Sequence, residues 1–112
     1  MRARFRSLGR VAALLVSLTL VPPALGRTQT FVVTTTPDLQ SITEAIAGGM
    51  ATVESLIPHG ADPEAFEPRP NHLATLRRAD LVLRIGTGYD HWLDRLLQRS
   101  GRVALMPGGG GY

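Results

Sequence analysis

The feature that most constrains this chain is a regular alternation of apolar, β-branched runs with segments of helical periodicity between residues 31 and 106. Four runs have the composition of strands, at residues 31–35, 51–56, 81–85 and 102–106. Three helical segments separate them. Such an order produces right-handed crossovers between parallel strands. The sequence therefore predicts an α/β fold in which helices flank a parallel sheet.

Signals for the ends of the helices agree with this fold class. Thr36 is a good N-cap, Pro37 follows at the favoured first helical position, and Gly48 ends the first helix. Asn71 and Asp90 are the predicted N-caps of the second and third helices. Apolar residues recur at helical spacing in all three helices, at Leu39, Ile42 and Ile46 in the first and at Leu73, Leu76, Ala79, Leu93, Leu96 and Leu97 in the other two.

Residues 1–26 differ from the rest of the chain. A basic segment with four arginines and no acid precedes an apolar run over residues 11–21, two prolines and small residues suited to a cleavage site. This order is typical of a Sec-type signal peptide, and the apolar run is shorter than the roughly 20 residues that span a membrane. We therefore expect a secreted protein that works in the periplasm or another extracytoplasmic space.

The charge balance depends on these first residues. The whole chain carries 12 arginines and 9 acids, a formal net charge of +3. Residues 1–26 hold four of the arginines and none of the acids, so the remainder carries one net negative charge. A basic face for nucleic acid is therefore not expected. The chain also has no cysteine to carry a lipid after the signal, and we expect an untethered mature form.

A long, proline-rich segment follows the second predicted strand. Residues 57–70 contain four prolines, and their length of 14 exceeds the roughly 2–6 residues of most such connections. Long loops at the carboxyl ends of parallel strands are where these sheets bind ligands. Donors suited to a divalent metal ion lie close together in this segment, at His59, Asp62, Glu64 and Glu67. His72 and His91 are weaker candidates outside it.

The sequence gives little support for nucleotide binding or for catalysis. Gly86 and Gly88 follow a strand, but His91 stands where a nucleotide-binding fingerprint has a third small residue. The glycines therefore predict only a tight turn from strand to helix. The sequence has no cysteine nucleophile and no G-x-S-x-G elbow. Glu64 and Glu67 are neighbours on a loop, where solvation is the ordinary role of paired carboxylates. We do not expect an enzyme.

Three strings carry a resemblance to a known family. They are VVTTTPDLQSITEAIAGG from residue 32, LIPHGADPEAFEPRP from residue 56 and ADLVLRIGTGYDHWLDRLL from residue 79. Their order and spacing resemble the substrate-binding proteins of zinc and manganese ABC transporters, which have a G-x-D-P-H-x-(Tyr/Phe)-E-P-x-P loop. The most specific part of the match is residues 60–70.

The resemblance implies a two-lobed α/β receptor that captures Zn²⁺ or Mn²⁺ for a membrane permease and is not itself an enzyme. Residues 27–106 would be part of the first lobe, followed by a flexible Gly-rich tail at residues 107–112 that adds nothing to the core. The first metal ligand in the family is the histidine of D-P-H, and Glu64 stands at that position here. His59, five residues earlier, is the substitute candidate, while Glu67 and Pro68 match the E-P that shapes the loop.

The family's later ligands lie in a second segment and a second lobe that these 112 residues do not contain. We therefore expect a truncated receptor with weak or absent metal affinity. Two alternatives remain from the residues alone. One is a small, independent secreted α/β module that binds another ligand or a protein partner. The other is a fragment of an α/β enzyme, against which the missing nucleophile and nucleotide fingerprint argue.

Overall fold

The computed structural model describes residues 29–112, which form one parallel sheet with helices. In chain order the elements are β1 (Thr30–Thr34), α1 (Pro37–Ala47), β2 (Ala51–Ser55), α2 (Pro70–Arg78), β3 (Leu81–Leu83), α3 (Trp92–Ser100) and a 3₁₀ turn (Val103–Leu105). The strand order is β2-β1-β3, with Val32 opposite Val53 on one side and Leu81 on the other. The predicted α/β class and parallel sheet are confirmed. The predicted signal peptide at residues 1–26 lies outside the described residues.

The helices divide between the two faces of the sheet. The chain leaves the central strand β1 for β2 on one side and then crosses to β3 on the other. Right-handed crossovers therefore place α1 on one face and α2 on the opposite face, and α3, which follows the last strand, packs against α2. The packing agrees, because α1 lies against β1 and β2 whereas α2 and α3 lie against each other. None of the helices between residues 29 and 112 has the length and apolar character needed to cross a bilayer.

The hydrophobic core lies on the face that α2 and α3 cover. Its fully buried members come from the sheet, from α2 and α3 and from the 3₁₀ turn, and include Val33, Leu76, Leu93, Leu97 and Leu105. The predicted apolar positions of α2 and α3 thus lie in the core or, at Leu73, pack against it. The α1 face is different, because this helix has no buried residue, and two of its predicted apolar positions, Ile42 and Ile46, are 56% and 78% exposed.

The prediction of a fourth strand at residues 102–106 is wrong. The segment forms a 3₁₀ turn instead, which directs Leu105 into the core. The backbone position beside β3 is taken by Gly111, whose carbonyl accepts a hydrogen bond from the amide of Val82 at 2.8 Å. Arg102 does not pair with a strand either. Its guanidinium donates to the carbonyls of Arg77 and Ala79, at 3.2 and 2.7 Å, and so satisfies the end of α2.

The glycine-rich end of the chain is packed, which corrects the prediction of a tail without core contacts. Gly111 is buried, and its amide donates to the carbonyl of Ala104 at 2.9 Å. A Cβ atom at Gly111 would lie 2.5 Å from the backbone oxygen of Asp80, so only glycine fits there. Tyr112 places its hydroxyl 3.0 Å from a guanidinium nitrogen of Arg84.

Two of the three predicted helix starts need correction. Thr36 caps α1 as predicted, accepting a hydrogen bond from the amide of Leu39. Helix α2 begins one residue before Asn71, at Pro70, because proline has no amide to satisfy and its fixed φ suits the first position. The imidazole of His72 supplies the capping acceptor, since its Nδ1 accepts the Arg69 amide at 2.9 Å. Helix α3 begins at Trp92, two residues after the predicted cap Asp90.

The packing of Gly111 generates a stability prediction. We expect Gly111→Ala to lower the free energy of unfolding by about 1–3 kcal/mol, because the new methyl group must displace backbone atoms of Asp80. Gly110→Ala is the matched control, since a Cβ atom there meets nothing within 4 Å. It should change stability by less than about 0.5 kcal/mol. Urea denaturation of both 112-residue variants measures the difference, and equal stabilities would contradict the close packing of Gly111.

Candidate functional site

A cleft of about 390 Å³ opens at the carboxyl edge of the sheet. It lies where the chain leaves β1 toward one face and β3 toward the other, the position at which open parallel sheets bind ligands. Three loops form its walls, the β1–α1 turn, the β2–α2 loop and the β3–α3 turn. The polar or titratable side chains that line it are Thr36, Asp38, His59 and Tyr89.

The buried carboxylate of Asp90 fixes the β3–α3 wall of this cleft. It is fully buried and accepts hydrogen bonds from the hydroxyl of Thr35 at 2.9 Å and the amide of Ile85 at 2.8 Å. The amide of Gly86 donates to it at 3.1 Å. One side chain therefore joins the end of β1, the end of β3 and the turn before α3. The sequence predicted a helix cap here, but the carboxylate serves the turn instead of the first turn of α3.

Arg84 neutralises the buried charge. Its Nε donates to Asp90 at 3.0 Å, and the same guanidinium reaches Asp94 at 2.5 Å and the hydroxyl of Tyr112. Partial burial lowers the pKa of Arg84, but the bonds to Asp94, Tyr112 and Asp90 outweigh it and hold the pKa above its ordinary value. Arg84 thus stays charged and pairs with a carboxylate that would otherwise be an uncompensated buried charge.

The β3–α3 turn has the strained backbone of a tight connection. Gly86, Thr87 and Gly88 have φ values of 77°, 53° and 87°, all in the left-handed region. For Thr87 this conformation is unfavourable, because its β-branched side chain crowds the backbone there. The amide of Gly86 is held by Asp90, which keeps the turn in place. The prediction of a tight strand-to-helix turn is confirmed.

The β2–α2 loop, residues 56–69, is fixed by contacts with α3. The indole Nε1 of Trp92 donates to the carbonyl of Pro63 at 3.0 Å. The ring of Phe66 lies between Trp92 and His72, with centroid distances of 4.8 and 5.1 Å. Aromatic pairs at this distance stabilise by about 0.5–1.5 kcal/mol beyond the area that they bury. The loop is therefore a defined wall of the cleft.

The two predicted metal ligands have different positions on this loop. His59 lines the cleft and is exposed to solvent. Glu64 is also exposed, but it is not among the residues that line the cleft, although the preceding Pro63 is. The amide of Glu64 donates to the carboxylate of Asp62 at 2.9 Å, which forms a local turn.

The remaining candidates from the sequence lie elsewhere. Asp62, Glu67 and His72 line a separate depression of about 550 Å³ between the loop and α2. His91 borders the groove between α2 and α3. Across residues 29–112 no three side chains of the His, Asp or Glu type come close enough together to hold a metal ion.

The cleft contains one donor that the sequence analysis missed. Asp38 lies in the first turn of α1 and lines the same cleft as His59. Its position directly after the Thr36-Pro37 helix start, at the carboxyl end of β1, was the signal that could have found it. An imidazole and a carboxylate are two of the three or four donors that a Zn²⁺ ion requires from its site.

Several known proteins are similar to this chain. A family model for zinc-uptake complex component A, periplasmic (ZnuA), matches residues 32–108. The manganese ABC transporter substrate-binding lipoprotein PsaA of Streptococcus pneumoniae is 34% identical over 76 residues, which cover 64% of this chain and 24% of PsaA. The iron-binding protein YfeA of Yersinia pestis is 34% identical over 67 residues, covering 60% and 22%.

Solved structures are similar to this chain as well. The Zn(II)-bound ZnuA-like domain of AdcA from Streptococcus pneumoniae superposes with a TM-score of 0.59 at 28% identity, over 66% of this chain and 28% of that one. The substrate-binding protein FpvC of Pseudomonas aeruginosa, in complex with Mn²⁺, gives 0.61 at 30% identity, over 71% and 28%. The chain spans about a quarter of the length of these relatives.

The Asp90 network generates a prediction about stability. We expect Asp90→Asn to lower the free energy of unfolding by about 3 kcal/mol, because it removes the charge that Arg84 pairs with in a buried site. Asp94→Asn is the matched control, since Asp94 contacts the same guanidinium but its side chain is 51% exposed. That substitution should cost less than about 1 kcal/mol. Urea denaturation tests both, and equal losses would refute the central role of Asp90.

The environment of His72 generates a prediction about pH. Partial burial and the nearby Arg69 lower the pKa of His72 below its ordinary value of 6.5, against an opposing effect of Glu54. The unfolded chain therefore binds the proton more readily, and protonation favours unfolding. We expect the free energy of unfolding to be highest above pH 6.5 and to fall as the pH drops through 6.5 toward the lower folded pKa.

The variant His72→Asn isolates this effect. Asparagine keeps an acceptor close to the position of Nδ1 for the Arg69 amide but does not titrate. Urea unfolding at several pH values should show that the unchanged chain loses more stability than the variant as the pH falls below 6.5. Curves that stay parallel over the whole range would show that His72 does not contribute to the pH dependence.

Proposed function

The chain belongs to the family of the periplasmic zinc-uptake component ZnuA, as its motifs predicted, and on this premise we propose that it forms part of the first lobe of an extracytoplasmic metal receptor. The proposed cargo is Zn²⁺ or Mn²⁺, the ions that structures of its relatives contain. The receptor would hand the ion to the permease of an ABC transporter. The observation that carries this proposal is the cleft at the carboxyl edge of the sheet, walled by the family's proline-rich loop.

His59 and Glu64 are the proposed ligands from the loop. His59 already lines the cleft, and Asp38 lines its opposite wall. Glu64 holds the position of the family's histidine and follows Pro63 at the rim. Its side chain is exposed, so it is free to rotate toward an ion without breaking a contact of the fold. A carboxylate in place of an imidazole favours harder ions, which shifts the proposed preference toward Mn²⁺.

Incomplete coordination determines the expected affinity. His59 and Asp38 supply one imidazole and one carboxylate, and Glu64 adds a third donor only after rotation. Closed structural zinc sites use four donors, and an unfilled shell leaves part of the ion's hydration in place. In the proposed receptor the other donors come from a facing lobe. The 112 residues alone should therefore bind metal weakly.

Calorimetric titration of the full chain with ZnCl₂ and MnCl₂ at neutral pH tests this proposal. We expect a Kd above about 1 μM, a binding free energy weaker than about −8 kcal/mol. His59→Ala should abolish the heat of binding because it removes the only imidazole that lines the cleft. His91→Ala is the matched control, because His91 is also exposed but lies outside the cleft, and it should leave binding unchanged.

A gain-of-function variant tests the Glu64 position. Glu64→His restores the imidazole of the family motif and should tighten Zn²⁺ binding about tenfold, since zinc prefers nitrogen donors. Glu67→His places the same group on the same loop but beside the other depression, and it should change nothing. Submicromolar binding that survives both His59→Ala and Glu64→Ala would refute the assignment of these ligands.

A further inference from the structure

The side chain of His72 has two roles at the start of α2. Its Nδ1 accepts the amide of Arg69 at 2.9 Å, which closes the first turn of the helix. Its ring also packs against Phe66, with the ring centroids 5.1 Å apart, and Phe66 in turn packs against Trp92 at 4.8 Å. His72 therefore connects the start of α2 to the middle of the β2–α2 loop and, through it, to α3.

The β2–α2 loop depends on such contacts because most of it lies at the surface. Each of residues 58–69 keeps part of its surface in water. Trp92 joins the loop to α3, since its indole N–H donates to the carbonyl of Pro63 and its ring packs against Phe66. Segments with few buried contacts have the lowest free energy of local opening. The loss of one contact should therefore affect this loop more than it affects the core.

Protonation of His72 must break its bond to Arg69. The partner of Nδ1 is an amide donor, so this nitrogen has to be unprotonated. An imidazolium carries a proton on both ring nitrogens and would direct one of them at the amide. It would also place a positive charge in the first turn of α2, where the helix dipole opposes it. His91 differs, because its Nδ1 faces an acceptor, the carbonyl of Gly88 at 3.1 Å, and keeps that bond when protonated.

The charged groups around His72 allow this protonation in mildly acidic solution. Partial burial and Arg69 lower the pKa of His72, and Glu54 on β2 opposes them. Asp62 and Glu67 of the loop line the same depression as the imidazole. No charged residue of α3 in the described part of the chain lines it. The titration of His72 is therefore governed by its own helix, the loop and β2.

We propose that His72 is a pH-sensitive switch that releases the β2–α2 loop in mildly acidic solution. When the imidazole is protonated, it turns away from the Arg69 amide and from Phe66. Phe66 then loses one of its two aromatic neighbours, and the loop separates from Trp92 while the sheet and helices stay folded. The switch is built into the fold, because it uses the contacts that position the loop at neutral pH.

The release would act on the proposed metal site. The loop carries both His59 and Glu64, so its separation from α3 would move these ligands out of the cleft wall. This consequence rests on the proposed function, whereas the release itself does not. The test below contains no metal, so its failure and the failure of metal binding are separate results.

Quenching of tryptophan fluorescence by acrylamide measures the release. Trp92 is the sole tryptophan and is 6% exposed, so a neutral quencher reaches it only poorly while the loop is in place. We expect the quenching constant of the 112-residue chain to rise at least about twofold from about pH 7.5 to about pH 5.5. The midpoint should lie below 6.5. The helical circular dichroism signal should stay constant over this range, which lies above the pKa values of ordinary carboxyl groups.

Three variants assign the transition. His72→Asn keeps an acceptor for the Arg69 amide but does not titrate, so its quenching constant should stay low at every pH. His91→Asn is the matched control, since it removes the histidine next to Trp92 and should keep the full rise. Phe66→Leu removes the ring between His72 and Trp92. It should raise the quenching constant already at neutral pH and abolish most of the further rise.

Several outcomes would overturn the proposal. A transition that persists in His72→Asn, or one that disappears in His91→Asn, would assign the titration to another group. A full rise in Phe66→Leu would show that His72 does not act through this ring. Loss of the helical signal together with the rise would mean that the whole chain unfolds. A quenching constant that does not change with pH would show that the loop stays in place.

Discussion

The buried carboxylate of Asp90 is the interaction on which the architecture of the cleft depends. It joins the ends of β1 and β3 to the turn before α3, and Arg84 makes its burial tolerable. A carboxylate in this place can satisfy several backbone amides at once, which an apolar residue cannot do. The strained β3–α3 turn keeps its geometry because these bonds hold it. The cleft is therefore open at the edge of the sheet but has a rigid wall.

Much of the fold was readable from local sequence. Alternating strand and helix patterns gave the parallel sheet, and the Thr36-Pro37 start placed α1 correctly. The predicted fourth strand failed because local composition does not show which backbone occupies the edge of β3. Gly111 occupies that position, where its backbone packs closely against Asp80. The periodicity of the sequence gives no information about this contact. Tertiary contacts here outweigh the preference of the segment for extended structure.

The candidate site was predictable in part. Prolines and donor residues identified the loop, and His59 lies in the cleft. The orientation of Glu64 was not predictable, because it depends on how Trp92 holds the loop from 29 positions away at Pro63. The role of Asp90 likewise rests on a bond to Thr35 across 55 positions. Residue types thus indicate which chemistry a loop offers, whereas long-range contacts decide which side chains meet.

The two walls of the cleft differ in how firmly the fold holds them. Helix α1 has no buried residue and leaves Ile46 mostly in water, whereas α3 buries Trp92, Leu93 and Leu97. Elements with few buried contacts have the lowest free energy of local opening, so amide hydrogens of α1 should exchange with solvent before those of α3. Asp38 therefore lies on the wall that opens more easily, and the wall opposite it is more rigid. A ligand entering between them would meet one side that adjusts and another that sets the geometry.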